Sequence, residues 1–313
     1  MLDVFASLDA FVRRLIDGAV SAKIVIRSSR EPPAPTKRLS GGGHAGRRGA
    51  RSHDVHLEAC RRATVPSDPH AVQWSTCVAD VLHRRGLPIP PESQRMTVAM
   101  QPVEADALLE AMLVSSGRYV EWGSGGSTEL IAWLALSRLL PRGFLKAYST
   151  ESSSDWMRLM LANRSRVVAR ACDQGLLEYR RGDIGRTLAL GFPLDFDKLS
   201  AASRRRMHRQ YVSLRSFNVA TFDTVLIDGR FRVACAIEAL RFLAANSTVL
   251  WHDAAPPMVP TRYWLYRRGW APFYDVVGYH GSLVRLRPKA WALGMSAAEH
   301  EGRLMAALQH AER

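Results

Sequence analysis

The chain has 313 residues, of which 47% are hydrophobic and 23% are charged. This length allows one large domain or two small ones, and the apolar fraction excludes a wholly disordered chain. No apolar run approaches the roughly 20 residues that a membrane-spanning helix needs, so the sequence predicts no integral membrane segment. The four cysteines lack CxxC spacing. They predict neither a disulfide scaffold nor a zinc cluster, and they indicate the cytoplasm or another reducing compartment.

The charge balance is strongly basic. Lys and Arg total 43 against 29 Asp and Glu, a formal net charge of +14. Such an excess favours partners that carry phosphate, uronate or nucleic acid, or an anionic membrane surface. Residues 1–62 hold 12 of the basic residues and 6 of the acidic ones, so much of the excess lies in this fifth of the chain.

The N-terminal 60 residues predict a flexible extension. Residues 1–27 repeat apolar side chains at spacings of three and four, which predicts an amphipathic helix. Organelle targeting is an alternative, although Asp3, Asp9 and Asp17 are unusual for a transit peptide. Residues 28–60 are rich in Gly, Pro, Ser and Arg, and predict a disordered basic linker. A nucleic-acid-binding tail is the alternative interpretation of this segment.

Residues 61–313 predict a single domain in which strands and helices alternate. The elements, in chain order, are a helix at Pro102–Val114, a strand at Arg118–Trp122, a helix at Thr128–Leu140, a strand at Phe144–Ser149, a helix at Ser154–Arg170, strands at Leu176–Arg180 and Phe222–Ile227, a helix at Arg232–Ala244 and a strand at Thr248–Trp251. This alternation is typical of a parallel sheet with helices on both faces.

The C-terminal part has a different pattern. Two strand-like runs, Pro272–Tyr279 and Ser282–Leu286, flank His280-Gly281, which predicts an antiparallel hairpin. Ser296 and Glu299 have the spacing of a capping box and predict the start of a last helix. The predicted fold is therefore α/β, with a doubly wound, mostly parallel sheet and an antiparallel terminal hairpin.

A glycine-rich turn follows the strand at Arg118–Trp122. It reads Glu121-Trp-Gly123-Ser124-Gly125-Gly126-Ser127-Thr128. Glycines let a ligand approach the backbone, and the following helix offers free N–H groups. Dinucleotide-binding folds also use such turns. However, Glu121 predicts a carboxylate beside a cationic ligand, and Thr128 stands where the dinucleotide fingerprint has glycine or alanine.

The turn resembles the first motif of the class I S-adenosylmethionine-dependent methyltransferases. The resemblance implies a seven-stranded Rossmann-like sheet and a loop, Gly123–Thr128, that holds the amino acid end of S-adenosylmethionine. It further implies that Glu151 takes the ribose hydroxyls, that Asp183, followed by Ile184, lies near the adenine, and that Asp228 lies near the reacting methyl group. As structural alternatives, these acids are solvated strand ends, helix caps or turn formers.

The ends of two adjacent predicted strands carry the candidate chemistry. Asp228 and Arg230 follow one strand, and His252 and Asp253 follow the next, so all four should converge beyond the carboxyl edge of the sheet. By its ordinary pKa His252 is the best candidate base, oriented by Asp228 or Asp253. A second mechanism uses a divalent metal held by Asp228 and Asp253, with His252 or water as third ligand. The structural alternative is that His252 and Asp253 only hold the strand ends together.

Three features bear on the acceptor. Arg230 and Arg232 are candidate clamps for a carboxylate or phosphate; Arg232 equally fits a solvated helix start, which favours Arg230 slightly. A run of basic residues is more typical of a solvated helix face than of an acceptor site; its members are Lys198, Arg204, Arg205, Arg206, Arg209 and Arg215. An aromatic cluster fits either an acceptor pocket or ordinary packing; its members are Tyr263, Trp264, Tyr266 and Trp270.

The sequence thus predicts a methyltransferase that uses S-adenosylmethionine and methylates a hydroxyl of a polar or anionic small molecule or a saccharide. More loosely, the residues around Asp228 and His252 resemble those of glycan and small-molecule O-methyltransferases. No metal is expected. The alternatives are a nucleic-acid methyltransferase, a nicotinamide-dependent oxidoreductase and a non-catalytic protein that retains the cofactor fold. The oligomeric state stays open.

Overall fold

The computed structural model describes residues 76–89, 91, 96–161, 166–185, 193, 198–254 and 264–309, without the side chains of residues 264–266 and 309. The predicted N-terminal helix (1–27) and basic linker (28–60) lie outside the described residues. The same holds for Tyr263 and for the side chains of Trp264 and Tyr266.

Nine strands form two sheets in the described part of the chain. They are β1 (Thr76–Cys77), β2 (Thr97–Val98), β3 (Arg118–Trp122), β4 (Lys146–Glu151), β5 (Leu177–Arg181), β6 (Phe222–Ile227), β7 (Leu243–Trp251), β8 (Tyr274–His280) and β9 (Leu283–Pro288). β1 and β2 pair with each other. The other seven have the order β5-β4-β3-β6-β7-β9-β8, with β3 to β7 parallel and β9 antiparallel to β7 and β8. The predicted doubly wound sheet with a terminal hairpin is confirmed.

Ten α-helices occur among the described residues. They are α1 (Val78–Arg84), α2 (Pro102–Val114), α3 (Gly126–Leu136), α4 (Ser154–Leu159), α5 (Arg166–Asp173), α6 (Ala201–Met207), α7 (Arg232–Ala239), α8 (Trp264–Trp270), α9 (Ala290–Leu293) and α10 (Ala297–Gln309). A π-helical turn, His208–Val212, follows α6. At α10, Ser296 Oγ accepts the N–H of Glu299 at 3.2 Å, as a serine N-cap does.

Three predicted helices have different bounds in the structure. The helix predicted at Thr128–Leu140 runs from Gly126 to Leu136. The segment predicted as one helix, Ser154–Arg170, contains two, α4 and α5. The helix predicted to reach Ala244 ends at Ala239, and β7 begins at Leu243 rather than at Thr248. The reason is tertiary: Leu243 pairs with Phe222 of β6 and is buried, so the sheet extends into a segment whose local pattern favours helix.

The core has two halves, one on each face of the large sheet. Along β6, Val225 and Ile227 pack on one side with α7, whereas Leu226 packs on the other with α3. This alternation follows from the two-residue period of a strand, and it shows that helices cover both faces. β3 lies between β4 and β6, so the chain winds to either side of it. A crevice is expected beyond the carboxyl ends of strands at such a switch point.

Two expectations from composition have different outcomes. Among the described residues no helix is long and apolar enough to cross a membrane. The cysteines were predicted to form no disulfide scaffold; among the described ones, Cys77 is disulfide-bonded. Cys172 and Cys235 are free thiols.

Candidate active site

A cavity of about 860 Å³ opens at the carboxyl edge of the sheet, where the switch point predicts it. Its wall includes Thr97–Met100, the segment that leads into α2. Ten of the residues predicted from sequence line this cavity; they are Gly123, Ser124, Gly125, Gly126, Ser127, Glu151, Asp228, Arg230, His252 and Asp253. Four others do not line it; they are Glu121, Thr128, Asp183 and Ile184.

The glycines of the turn after β3 have separate tasks. Gly123 has a φ of +88°, and a Cβ there would lie 2.8 Å from the Cα of Gly229, so the turns after β3 and β6 touch backbone to backbone. A Cβ on Gly126 would lie 1.9 Å from the carbonyl oxygen of Thr97. A Cβ on Gly125 meets nothing within 4 Å, because this residue faces the cavity. The turn is therefore closely packed from behind and open in front, as a cradle for a ligand must be.

Glu121 lies beneath this turn and is fully buried. Its carboxyl group accepts hydrogen bonds from the hydroxyls of Tyr119, at 2.9 Å, and of Thr128. Thr128 Oγ1 in turn accepts the N–H of Gly125 at 3.0 Å. Burial raises the pKa of Glu121 and the hydrogen bonds lower it, with a net value of about 7. Contrary to the sequence-based expectation, Glu121 and Thr128 support the turn from below and do not face its ligand side.

Glu151, at the end of β4, bonds to the glycine turn. Its Oε2 accepts the N–H of Ser124 at 3.1 Å and the hydroxyl of Ser124 at 2.7 Å. Its Oε1 accepts the N–H of Ser153 at 2.7 Å and the hydroxyl of Ser152 at 3.2 Å. A carboxylate has about four acceptor positions. All four are used here, so a ribose hydroxyl has to replace one of these donors.

Asp183 and Ile184, in the turn after β5, lie away from the cavity. Asp183 accepts the N–H of Gly185 at 2.9 Å and forms ion pairs with Arg181 and Arg206. Ile184 is buried in the core. The adenine contact implied by the resemblance therefore stays a prediction. Instead Trp156, the residue whose indole N–H donates to the carbonyl of Ser124 at 2.9 Å, lines the cavity beside Glu151.

His252 is clamped between two carboxylates. Its Nδ1 lies 2.8 Å from Oδ1 of Asp228, and its Nε2 lies 3.4 Å from Oε2 of Glu104. Glu104 belongs to the first turn of α2, where its Oε2 also accepts the N–H of Gln101 at 2.7 Å. Its other oxygen accepts the N–H and hydroxyl of Ser282, in the hairpin turn between β8 and β9. Glu104 thus links α2 to the hairpin turn and, through His252, to the cavity wall.

The neighbouring acids keep the imidazole charged. Burial lowers the pKa of His252, but Asp228, Glu104 and Asp253 raise it, and the net value is about 10. Burial raises the pKa of Glu104, but hydrogen bonds from His252, Gln101 and Ser282 lower it to about 2. At neutral pH this His252 is an imidazolium and has no free lone pair. The predicted role of His252 as a general base is therefore at odds with this geometry.

Arg232 joins the ends of β6 and β7 from inside the protein. It is 5% exposed. Its Nη2 donates to Oδ2 of Asp253 at 2.9 Å, and its Nη1 donates to the carbonyl of His252 at 2.8 Å. The alternative of a solvated helix start for Arg232 is excluded, because its guanidinium is an internal cation of the site.

Asp228, His252 and Asp253 also have the donor set and proximity of a metal site, with ligand atoms within 4.8 Å of one another. These donors already have partners. His252 Nδ1 shares a hydrogen with Asp228, and Arg232 bonds to Asp253. A divalent ion does not fit between the two acids unless both cationic groups are moved. We therefore derive no chemical step through a metal.

The acceptor-side candidates separate clearly. Arg230 lines the cavity, and its N–H donates to the hydroxyl of Tyr211 at 2.9 Å. Tyr211 belongs to the π-helical turn, is fully buried and also lines the cavity. All six residues of the basic run are described, and none contributes to the cavity wall. Trp270 is buried against Trp251, with ring centroids 5.9 Å apart, which supports packing rather than an acceptor pocket.

Comparison with known proteins gives similarity at the level of fold. No family model matches the chain, and no curated protein matches it. A methyltransferase-like protein from Silicibacter pomeroyi is 26% identical, with a TM-score of 0.49 over 68% of this chain and 96% of that one. A SAM-dependent methyltransferase from Corynebacterium glutamicum is 11% identical, with a TM-score of 0.31 over 77% and 100%. A 16S rRNA methyltransferase from T. thermophilus, in complex with AdoMet and guanosine, is 15% identical, with a TM-score of 0.29 over 65% and 44%.

The strand order and the position of the glycine turn agree with the seven-stranded Rossmann-like sheet and cofactor loop that the sequence resemblance implies. The fold alone does not determine the function, which depends on the residues of the site.

Proposed function

We propose that the chain is a methyltransferase that uses S-adenosylmethionine and methylates a hydroxyl group of a polar or anionic small molecule or a saccharide. The observation that carries the proposal is the cavity itself. An open-fronted glycine turn, an acid at the end of β4 and an acid at the end of β6 all line one cavity at the switch point of the sheet.

The residues of the cavity fit this cofactor. The backbone of Gly123–Ser127 and the N-terminus of α3 would receive the amino acid end, whose carboxylate is favoured at a helix N-terminus. Glu151 would accept the ribose hydroxyls after Ser124 yields one position. Trp156, in the short helix α4, also lines the cavity. Its indole is an aromatic face of the kind that packs against a purine. When bound, S-adenosylmethionine supplies an electrophilic methyl group on a positively charged sulfur.

We assign the proton acceptor to Asp228. Its pKa is raised by burial but lowered by His252, Arg232 and Arg230, with a net value below the ordinary one, so it is a carboxylate at neutral pH. A hydroxyl oxygen becomes strongly acidic as it takes up a methyl group, so even a weak base suffices if it is in hydrogen-bond reach. His252, held by Glu104, would keep the Asp228 carboxylate in place and balance its charge.

Arg230 supports the polar or anionic character that we propose for the acceptor. This residue lines the same cavity as Asp228 and follows it by two positions. A guanidinium there would bind a carboxylate or phosphate of the acceptor by paired hydrogen bonds. The position of the basic run, outside the cavity wall, gives the nucleic-acid alternative no support from the site.

The test is the release of S-adenosylhomocysteine from S-adenosylmethionine with a panel of acceptors. The panel contains sugar acids, neutral sugars, phenolic acids, RNA and DNA. We expect turnover with a hydroxylated small molecule and its loss in Asp228→Asn. Asp275→Asn, at an exposed acid on β8 that is not part of the cavity wall, is the matched control. Turnover with RNA or DNA alone, or binding without turnover on every acceptor, would contradict the proposal.

A further inference from the structure

We propose that the guanidinium of Arg232 takes the place of a divalent cation between Asp228 and Asp253, so that this site positions its acids without a metal. The inference rests on the proposed function, because it concerns how Asp228, the proposed proton acceptor, is held in place. It assigns Arg232 as a positioning residue, since it acts through Asp228 and Asp253.

The position of one nitrogen carries the inference. Nη2 of Arg232 lies 2.9 Å from Oδ2 of Asp253, 3.5 Å from Oδ1 of Asp228 and 3.1 Å from the carbonyl oxygen of Asp228. Three oxygens from the ends of two adjacent strands thus surround one cationic N–H group. Carboxylate and carbonyl oxygens in this arrangement are also the ligands that hard divalent cations prefer.

The rest of the guanidinium is fixed as firmly. Nε donates to the carbonyl of Gly229 at 3.0 Å, and Nη1 donates to the carbonyl of His252 at 2.8 Å. The side chain is only 6% exposed. A metal ion between Asp228 and Asp253 would occupy the position of this guanidinium and push it away from its hydrogen-bond partners. A buried guanidinium without partners is strongly unfavourable.

The charges of the site are also balanced from within. Asp228 has Nδ1 of His252 at 2.8 Å and the guanidinium of Arg232 at 3.5 Å. Asp253 has Arg232 at 2.9 Å. One fixed guanidinium therefore serves both acids that line the cavity. A divalent ion would have to compete with a cation that is covalently part of the chain.

The experiment is a Mn²⁺ titration followed by electron paramagnetic resonance, in the presence of S-adenosylhomocysteine. Wild type, Arg232→Gln and Arg230→Gln are compared. We expect no Mn²⁺ binding tighter than millimolar in wild type, and a gain of about 10-fold or more in Arg232→Gln, which vacates the position between the acids. The gain should disappear in the double variant Arg232→Gln/Asp253→Asn. Arg230→Gln removes the same charge two residues away and should show no such gain.

Two results would overturn the inference. One is micromolar, stoichiometric Mn²⁺ binding to wild type that Asp253→Asn abolishes. The other is an equal gain in Arg230→Gln, which would reduce the effect to net charge. If Arg232→Gln does not fold, the wild-type and Asp253→Asn titrations decide, and Arg232→Lys should remain without Mn²⁺ affinity because its ammonium keeps the charge. Calorimetry with S-adenosylhomocysteine on the same samples tests the proposed function separately, because Mn²⁺ binding requires no turnover.

Discussion

Glu104 faces His252 with Oε2 3.4 Å from Nε2, although the two residues lie far apart in the sequence. Since Asp228 takes the other ring nitrogen at 2.8 Å, the imidazole has a carboxylate on each side. A histidine in this arrangement is a structural cation rather than a base. We therefore assign the role of proton acceptor to Asp228 and not to His252.

The protonation of His252 can be measured directly. We expect its two ring nitrogens to remain protonated from pH 6 to pH 8 in nitrogen-15 spectra, because the pKa of His252 is about 10. In Glu104→Gln the pKa should fall, since one of the two neighbouring charges is gone. Titration of His252 near its ordinary value of about 6.5 in wild type would restore it as a candidate base and contradict our account.

Glu121 predicts a pH dependence of stability at neutral pH. Its pKa is about 7 in the folded state and 4.5 as an unperturbed group, so the folded state binds the proton more tightly. The resulting stabilisation is complete below pH 4.5 and is lost as the pH rises through 7. We expect Glu121→Gln to remove this part of the decline in the free energy of unfolding between pH 4.5 and 8. Urea unfolding at a series of pH values measures it; an unchanged profile would show that Glu121 ionises normally.

Gly125 and Gly126 predict opposite consequences of adding a side chain. Gly125→Leu projects into the cavity without meeting the protein, so it should weaken S-adenosylhomocysteine binding about 100-fold and leave the melting temperature almost unchanged. Gly126→Ala meets the Thr97 carbonyl and should destabilise the fold by about 1–3 kcal/mol. Calorimetric titration and thermal unfolding of both variants check this. Unchanged affinity in Gly125→Leu would refute the assignment of the turn to the cofactor.

Ser124 and Glu151 predict a competition for the ribose. Because the Ser124 hydroxyl occupies Glu151 Oε2 at 2.7 Å, Ser124→Ala should leave S-adenosylhomocysteine affinity unchanged or tighten it. Glu151→Gln removes the charged acceptor and should weaken binding about 10-fold. Both are read by calorimetric titration. If Ser124→Ala weakens binding as much as Glu151→Gln does, the serine is itself a ligand of the cofactor and the competition does not exist.

Local pattern is enough to predict the seven strands of the large sheet, the hairpin and the convergence of Asp228 and His252. Each of these follows from the periodicity of a short segment and from the rule that parallel strands end at one edge. Local pattern does not reveal the two-residue strands β1 and β2. The predicted helix extends beyond the end of α7, because pairing with Phe222 of β6 determines the conformation of Leu243, and its neighbours in sequence do not. Propensity is a weak guide where pairing with another strand decides.

The chemistry of single residues was harder to predict, because contacts distant in sequence determine it. Glu104 looks like an ordinary first-turn acid of a helix, and only the packing of α2 on the hairpin turn brings it to His252. Arg232 has the sequence position of a helix start, and burial between two strand ends gives it another role. Glu121 has the spacing of a ligand residue, but the direction of β3 turns it below the loop.

Calorimetric titration of the purified protein with S-adenosylhomocysteine tests the central claim most directly, with NAD as the matched control ligand. Our account predicts micromolar binding of S-adenosylhomocysteine at one site per chain, no comparable response to NAD, and loss of binding in Gly125→Leu. Absence of binding to well-folded protein, or a tighter response to NAD, would contradict the account, leaving the fold in place and the proposed function without its cofactor.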